Sequence, residues 1–239
     1  MTIKLPNLNE ELENINSKDV KKFTKEALIN APEQFWTCAC SGSGKFHPPE
    51  DQGKGGLIRH IKKGTAVIGE YAKRAHFNTR ETDFSYSAFL LHDIKKNGDP
   101  WEKTTDYQHG IIAAEWLDNN FKLKDKTGKQ MILDAIRYHM APWVTVFSNK
   151  KTFSIWDKSE DIVFTGKELG EYMDELVRAL LNPSRIELAV READYWASRK
   201  KMSFLPGKNI VYNSKEYDNI EERVKDLKKS YGIHDSPNV

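Results

Sequence analysis

The chain has 239 residues, 38% of them hydrophobic and 30% charged, and its 37 lysines and arginines against 35 aspartates and glutamates leave a formal net charge of +2. That size suits a soluble chain able to bury a core, and the near-neutral balance excludes a whole-protein field that would by itself draw nucleic acid. No apolar run approaches the ~20 residues of a bilayer span, the polar start Met1-Thr2-Ile3-Lys4 lacks a signal-peptide core, and Cys38 and Cys40 are the only cysteines. A cytoplasmic protein without a disulfide framework or a membrane partner is expected, with Cys38 and Cys40 as small core residues. Any metal is then a matter for histidine and carboxylate, and the seven histidines become the part of the composition to follow.

In chain order, one body with irregular insertions is expected. Residues 8–30 read as an opening amphipathic helix with Leu8, Leu12, Ile15, Val20, Phe23 and Ala27 on its apolar side. A long loop follows over 41–56, rich in glycine and proline. From Leu57 the periodicity is helical: Leu57, Ile61, Gly64, Ile68, Ala72 and Ala75 form one stripe, with His60 on its edge. A helix over about 86–96 is apolar nearly all round and reaches His92-Asp93. The next opens at His109, whose +3, +4, +7 and +8 neighbours Ile112, Ala113, Trp116 and Leu117 turn it to the core. A helix over about 128–140 places His139 on the face of Ile132, Ala135 and Ile136.

Residues 143–165 carry β-branched and aromatic side chains around Ser148-Asn149-Lys150 and read as a short β-hairpin excursion. A helix is expected over 166–181. Ser184 and Glu187 form a capping-box pattern that starts another, with Asp194 at the edge of the stripe Ile186, Val190, Ala193 and Ala197. A charged surface helix over about 215–231 and a tail close the chain.

Helix faces that should be buried thus receive His60, His92 with Asp93, His109, His139 and Asp194. A buried polar group without a partner costs roughly 1–3 kcal/mol. One such histidine is more often a satisfied core residue, but four histidines and two acids together are most simply satisfied by a divalent cation among them.

That ordered set resembles the HD-domain metal-dependent phosphohydrolases, in the form with two further histidines for a second metal. Gly55-Gly56-Leu57-Ile58-Arg59-His60 is similar to the family's Gly-Gly-Leu-x-x-His. Leu90-Leu91-His92-Asp93-Ile94-Lys95-Lys96 resembles Leu-His-Asp-Ile-Gly-Lys, and Ala193-Asp194-Tyr195-Trp196-Ala197-Ser198 resembles Ala-Asp-x-Leu-Ala-Ser. The resemblance covers about 46–200. It implies an all-α HD-domain helical bundle over 46–200, with an N-terminal helix and loop (1–45) packed on the core and a C-terminal helical extension (201–239).

The resemblance also implies one metal held by His60, His92, Asp93 and Asp194, and a second held by His109 and His139 with Asp93 bridging. Such mixed ligands suit manganese, iron, cobalt, nickel or zinc. Two cations ~3.5–4 Å apart activate a bridging water and stabilise charge on the attacking and leaving oxygens. Asp93 and Lys96 are the residues assigned to catalysis. Two departures stand out: Lys95 replaces the glycine usual after His-Asp-Ile, and Tyr138-His139 has one histidine where some relatives have two. The second departure argues against the third metal of the cyclic-di-GMP-cleaving branch.

Lys45, Lys54, Arg59 and Lys96 are expected to meet substrate phosphates. His47 is expected near the substrate or leaving group, because Ser-Gly-Lys-Phe-His-Pro resembles a segment before the glycine pair in HD proteins similar to the C-terminal part of YhaM-type 3′-to-5′ exoribonucleases. Trp143, or Trp101, is placed to stack on a base, although packing is the commoner role for such an aromatic. Gly42-Ser-Gly-Lys45 is no P-loop, since position 39 is alanine, Phe46 follows the lysine and no strand precedes it.

The leading expectation is hydrolysis of a phosphoester or phosphodiester bond in a nucleotide or small nucleotide-derived substrate. A 3′-to-5′ exonuclease on RNA or single-stranded DNA is the second, and a metal-braced ligand-binding module without turnover is the third. The near-neutral charge and the absence of an obvious appended nucleic-acid-binding domain favour the small substrate, and phosphate is still accommodated because bound cations supply positive charge that composition does not count.

Overall fold

Glu187 closes its own helix start. The Ser184 side chain accepts from the Glu187 backbone N–H, and the Glu187 carboxylate accepts the Ser184 N–H at 2.5 Å, the reciprocal capping expected from the sequence. A second capping box, at Asn78 and Glu81, opens the helix that ends at Leu91 and carries its start back to Thr79.

The computed structural model describes residues 8–41, 47–103, 105–106, 108–141, 145–147, 153–155, 175, 178–179, 181–199, 202–203 and 211–212. These residues make an all-α fold with two small strand pairs. The helices are α1 (Asn9–Leu12), α2 (Lys18–Ile29), α3 (Glu33–Thr37), α4 (Gly56–Arg74), α5 (Thr79–Leu91), α6 (His109–Asn120), α7 (Lys126–Arg137) and α8 (Arg185–Ala197), with a 3₁₀ turn at Pro49–Asp51 between α3 and α4.

The chain forms two compact units, Met1–His139 with Ser184–Asn213, and Met140–Pro183 with Ser214–Val239. In the first, α8 packs on α4, α5 and α7; α5 also contacts α2, α4 and α7, and α6 lies on α7. The central position of α5 explains its composition: Asp83 through Leu91 are all buried, and Ala88, Phe89, Leu90 and Leu91 are 0% exposed. Truncating a buried phenylalanine such as Phe89 would cost about 3–5 kcal/mol.

The second unit holds β1 (Thr145–Phe147) and β2 (Phe153–Ile155), antiparallel with Thr145 opposite Ile155, which is the hairpin expected within 143–165. Strands β3 (Met202–Ser203) and β4 (Val211–Tyr212) pair in the first unit. Of the helix expected over 166–181, residues 175, 178, 179 and 181 are described, and they are helical; the helix expected over 215–231 lies outside the described residues. None of the described helices is long and apolar enough to cross a membrane.

The opening segment differs from the single helix expected over 8–30. Its apolar positions are buried as the periodicity requires, Ile15 and Ala27 completely, but α1 stops at Leu12 and α2 begins at Lys18. The cause lies on α5: the Asp83 carboxylate accepts the backbone N–H groups of Asn16 and Ser17, each at 2.8 Å. Ser17 then caps α2 by accepting from Val20 N–H. The α5 helix also starts seven residues before the expected 86 and ends at Leu91, with a run of turns over 92–101.

Candidate metal centre

Three histidines are aimed by the same local device. His92 Nδ1 donates to Phe89 O at 2.6 Å, His109 Nδ1 to Asp106 O at 2.5 Å, and His139 Nδ1 to Ile136 O at 2.6 Å. A carbonyl can only accept, so each Nδ1 carries a proton and each ring turns its Nε2 toward the acids. Anchoring one ring nitrogen in this way is how metal-binding histidines are commonly fixed. The bonds sit at the end of α5, at the start of α6 and just beyond α7, so helix termini deliver all three rings.

These Nε2 atoms meet the carboxylates. His109 Nε2 lies 2.9 Å from Asp93 Oδ1 and 3.0 Å from His139 Nε2. His139 Nε2 is 3.9 Å from the same Oδ1. On the other oxygen, Asp93 Oδ2 is 3.3 Å from His92 Nε2 and 2.6 Å from Lys96 Nζ. From α8, Asp194 Oδ1 reaches to 3.1 Å from His60 Nε2 and 3.7 Å from His92 Nε2. His60, on α4, and His92 are 0% exposed, while the Asp194 side chain keeps 17% exposure.

The spacings are those of atoms around a cation. Donors about 2.1 Å from one metal ion lie about 3.0 Å apart across a right angle and about 3.4 Å apart at a tetrahedral one. The atoms His60 Nε2, His92 Nε2 and Asp93 Oδ1 are buried without a hydrogen-bond partner. Two sets, His60 with His92 and Asp194, and His92 with Asp93 and His139, bring their ligand atoms within 4.8 Å of one another. Buried histidine and aspartate therefore stand at metal-binding distance, and the donor set fits a divalent cation.

The electrostatics point the same way. Burial opposes ionisation of Asp93, but His92, Lys96 and His109 outweigh it and hold its carboxyl well below the ordinary range. Burial likewise opposes ionised Asp194, and His60 and His92 outweigh it. His92 is penalised by burial, yet Asp93 and Asp194 raise its pKa to about 10. Burial, reinforced by His109 and His92, drives His139 down to about 3. The centre thus holds two carboxylates ionised and attracts positive charge to one place while refusing a proton at another.

All six expected ligands meet in the first unit: His60, His92, Asp93, His109, His139 and Asp194. Lys96 joins them, but its ammonium sits on Asp93 and the residue is 8% exposed, so it is engaged within the centre. Burial works against the charged lysine, and Asp93 raises its pKa in spite of that. Arg59 is engaged elsewhere: its guanidinium donates to the carbonyls of Glu50 at 2.7 Å, Lys54 at 2.9 Å and Gly53 at 3.4 Å, tying down the loop before α4. Lys54 is exposed, and Lys45 and Trp143 lie outside the described residues.

His47 does reach the centre's edge, its ring 5.4 Å from that of His60. Burial, with His60 and Lys96, lowers its pKa to about 3. Lys95, the residue in place of glycine, is 5% exposed, 2.6 Å from Asp99 and over the Trp116 ring at 4.7 Å, so its charge is answered there.

Sequence reasoning placed Cys40 in the core, where it is 0% exposed, but missed that its sulfur lies beside His47. The one signal for it was its position just before the loop that leads to the Gly55-Gly56 pair. No protein-family model matches the chain, and comparison with curated proteins and with solved structures finds no match.

Proposed function

We propose that the chain is a metal-dependent phosphohydrolase of the HD-domain type, cleaving a phosphoester or phosphodiester bond of a nucleotide or small nucleotide-derived substrate. Asp93 carries this reading: Oδ1 faces His109 and His139 while Oδ2 faces His92 and Lys96, so one carboxylate stands between two donor sets. His60, His92, Asp93 and Asp194 would hold one divalent cation, and His109, His139 and Asp93 a second. Manganese, iron, cobalt, nickel and zinc are the candidates. Cations in this arrangement activate water and neutralise phosphate oxygens.

The chain's own groups have distinct parts in this scheme. Lys96 keeps Asp93 ionised and fixes its plane through the 2.6 Å contact to Oδ2. His47, neutral at ordinary pH and only partly buried, stands at the edge of this donor set with its ring 5.4 Å from that of His60. Burying this many charges is poor design for stability alone, because desolvation offsets most of the attraction. Strongly shifted groups gathered in one place are instead a mark of chemistry.

The test is a hydrolysis screen of the purified chain with each of the five cations. The panel contains nucleoside mono-, di- and triphosphates, cyclic nucleotides, dinucleoside polyphosphates and short RNA. Metal-dependent release of phosphate or nucleotide, lost in Asp93→Asn, is the expected result. Stepwise shortening of RNA from its 3′ end would assign an exonuclease instead. Bound metal with no turnover across the panel would overturn the hydrolase reading.

A further inference from the structure

The segment before α4 brings a second kind of donor to the centre. Cys40 N–H donates to Asp51 O at 2.9 Å, Gly55 N–H to Thr37 O at 2.9 Å and Leu57 N–H to Cys38 O at 3.2 Å, so residues 37–40 are fastened against 51–57. Position 56 must be glycine for this closure: a Cβ there would stand 1.8 Å from Asp51 O and 3.0 Å from Cys40 N, both backbone atoms that cannot swing aside. The closure fixes Cys40, fully buried, close to His60.

His47 completes the group. Its Nε2 is 3.8 Å from Cys40 Sγ, and donor atoms of Cys40, His47 and His60 lie within 4.8 Å of one another. His47 Nδ1 is buried without a hydrogen-bond partner, and so are both ring nitrogens of His60. His60 differs in this from His92, His109 and His139, each of which commits Nδ1 to a carbonyl. His60 Nε2 faces Asp194 Oδ1 at 3.1 Å in the centre already described, so His60 Nδ1 and His47 Nδ1 are the two buried ring nitrogens left near the thiol, a cost unless something binds there.

We propose that Cys40, His47 and His60 form a separate, thiolate-containing cation position that adjoins the histidine and carboxylate centre through His60, and that it takes a borderline-soft divalent ion such as zinc or cobalt. Sulfur and nitrogen bound to one tetrahedral zinc, at about 2.3 and 2.1 Å, lie about 3.6 Å apart, close to the 3.8 Å between Cys40 Sγ and His47 Nε2. A thiolate also changes the selectivity, since sulfur favours zinc and cobalt where an all-oxygen site would favour manganese or magnesium. Burial keeps the Cys40 thiol well above its ordinary pKa, so the sulfur is no free nucleophile and ionises when a cation claims it.

Titration of the full chain with Co²⁺, followed by absorption, tests the assignment without any substrate. A sulfur-to-cobalt charge-transfer band should appear in the near ultraviolet. It should be lost in Cys40→Ser together with one bound cobalt per chain, weakened in His47→Gln, and kept in Cys38→Ser and Asp93→Asn. Absence of the band from the wild-type chain at saturating cobalt, or its survival in Cys40→Ser, overturns the proposal. A chain that shows the band but hydrolyses nothing overturns the hydrolase reading and leaves this one standing.

Discussion

His109 Nε2 and His139 Nε2 stand 3.0 Å apart while their Nδ1 atoms donate to the carbonyls of Asp106 and Ile136. The two Nε2 atoms thus face each other, with Asp93 Oδ1 a third atom 2.9 Å from His109. Only a proton or a cation between them is favourable, and burial holds His139 down to about 3. Divalent cations should therefore stabilise the fold. At a free concentration of about 100 times Kd the gain is about 2.7 kcal/mol, a rise of roughly 5–10 °C in Tm for a chain of this size. Thermal melts with and without chelator check this. His109→Ala should bind one metal fewer per chain, and an unchanged stoichiometry would remove the second position.

Asp93 and Lys96 allow the roles of ligand and support to be separated. Asp93→Asn removes the charge that both donor sets share, so turnover should fall by more than the roughly 10–100-fold typical of a supporting residue. Lys96→Met keeps the carboxylate but strips a partner 2.6 Å away. It should weaken metal binding by about 10–100-fold and leave slow turnover that excess metal partly restores. Turnover in Lys96→Met that no metal concentration improves would assign the ammonium to the reaction itself.

The metal-free chain should lose stability toward acid. An unfolded histidine takes its proton near pH 6.5, whereas burial holds His47 and His139 neutral down to about 3. Between about 6.5 and 3 the unfolded chain therefore binds protons that the folded chain refuses, and stability falls as pH falls. His92 works in the opposite direction: its pKa of about 10 gives a contribution that is full below about 6.5 and lost as pH rises toward 10. Melts in chelator across pH 4–8 are the measurement. His47→Gln should make the acid limb shallower, by as much as one bound proton, and coincident limbs would mean that burial does not hold His47 neutral.

His60, His109, His139 and Asp194 were legible because helical periodicity turns each toward a core face, and His92-Asp93 because an apolar helix runs into the pair, although His92, Asp93 and His139 lie just beyond their helices. Six such groups satisfy one another most simply around a cation. Contacts from distant parts of the chain were not legible. Nothing local in Asn16-Ser17 announces that Asp83, 67 residues from Asn16, will take their N–H groups and break the opening helix. Arg59 reads as a phosphate ligand until the loop carbonyls of Glu50, Gly53 and Lys54 are seen around it. Lys95 reads as added positive charge until Asp99 and Trp116 are found beside it. Cys40 reads as core packing because its pairing with His47 depends on the closure around Gly56.

Gly110 tests whether the approach of α6 to the end of α7 sets the histidine spacing. A Cβ at this position would stand 2.6 Å from Ile136 O, 3.0 Å from Arg137 O and 3.1 Å from His139 Nδ1. Ile136 O is the carbonyl that orients the His139 ring at 2.6 Å, so a methyl group displaces both the ring and its anchor. Gly110→Ala should cost about 1–3 kcal/mol through overpacking and, by turning Nε2 away from His109, weaken metal binding by about 10–100-fold. Gly53→Ala is the matched control, because the nearest atom to its Cβ is an Arg59 guanidinium nitrogen at 3.9 Å, and a change within about 0.5 kcal/mol is expected. Thermal melts and metal titrations of both variants decide the point: wild-type metal affinity in a destabilised Gly110→Ala would show that the helix approach supports the fold without setting the centre.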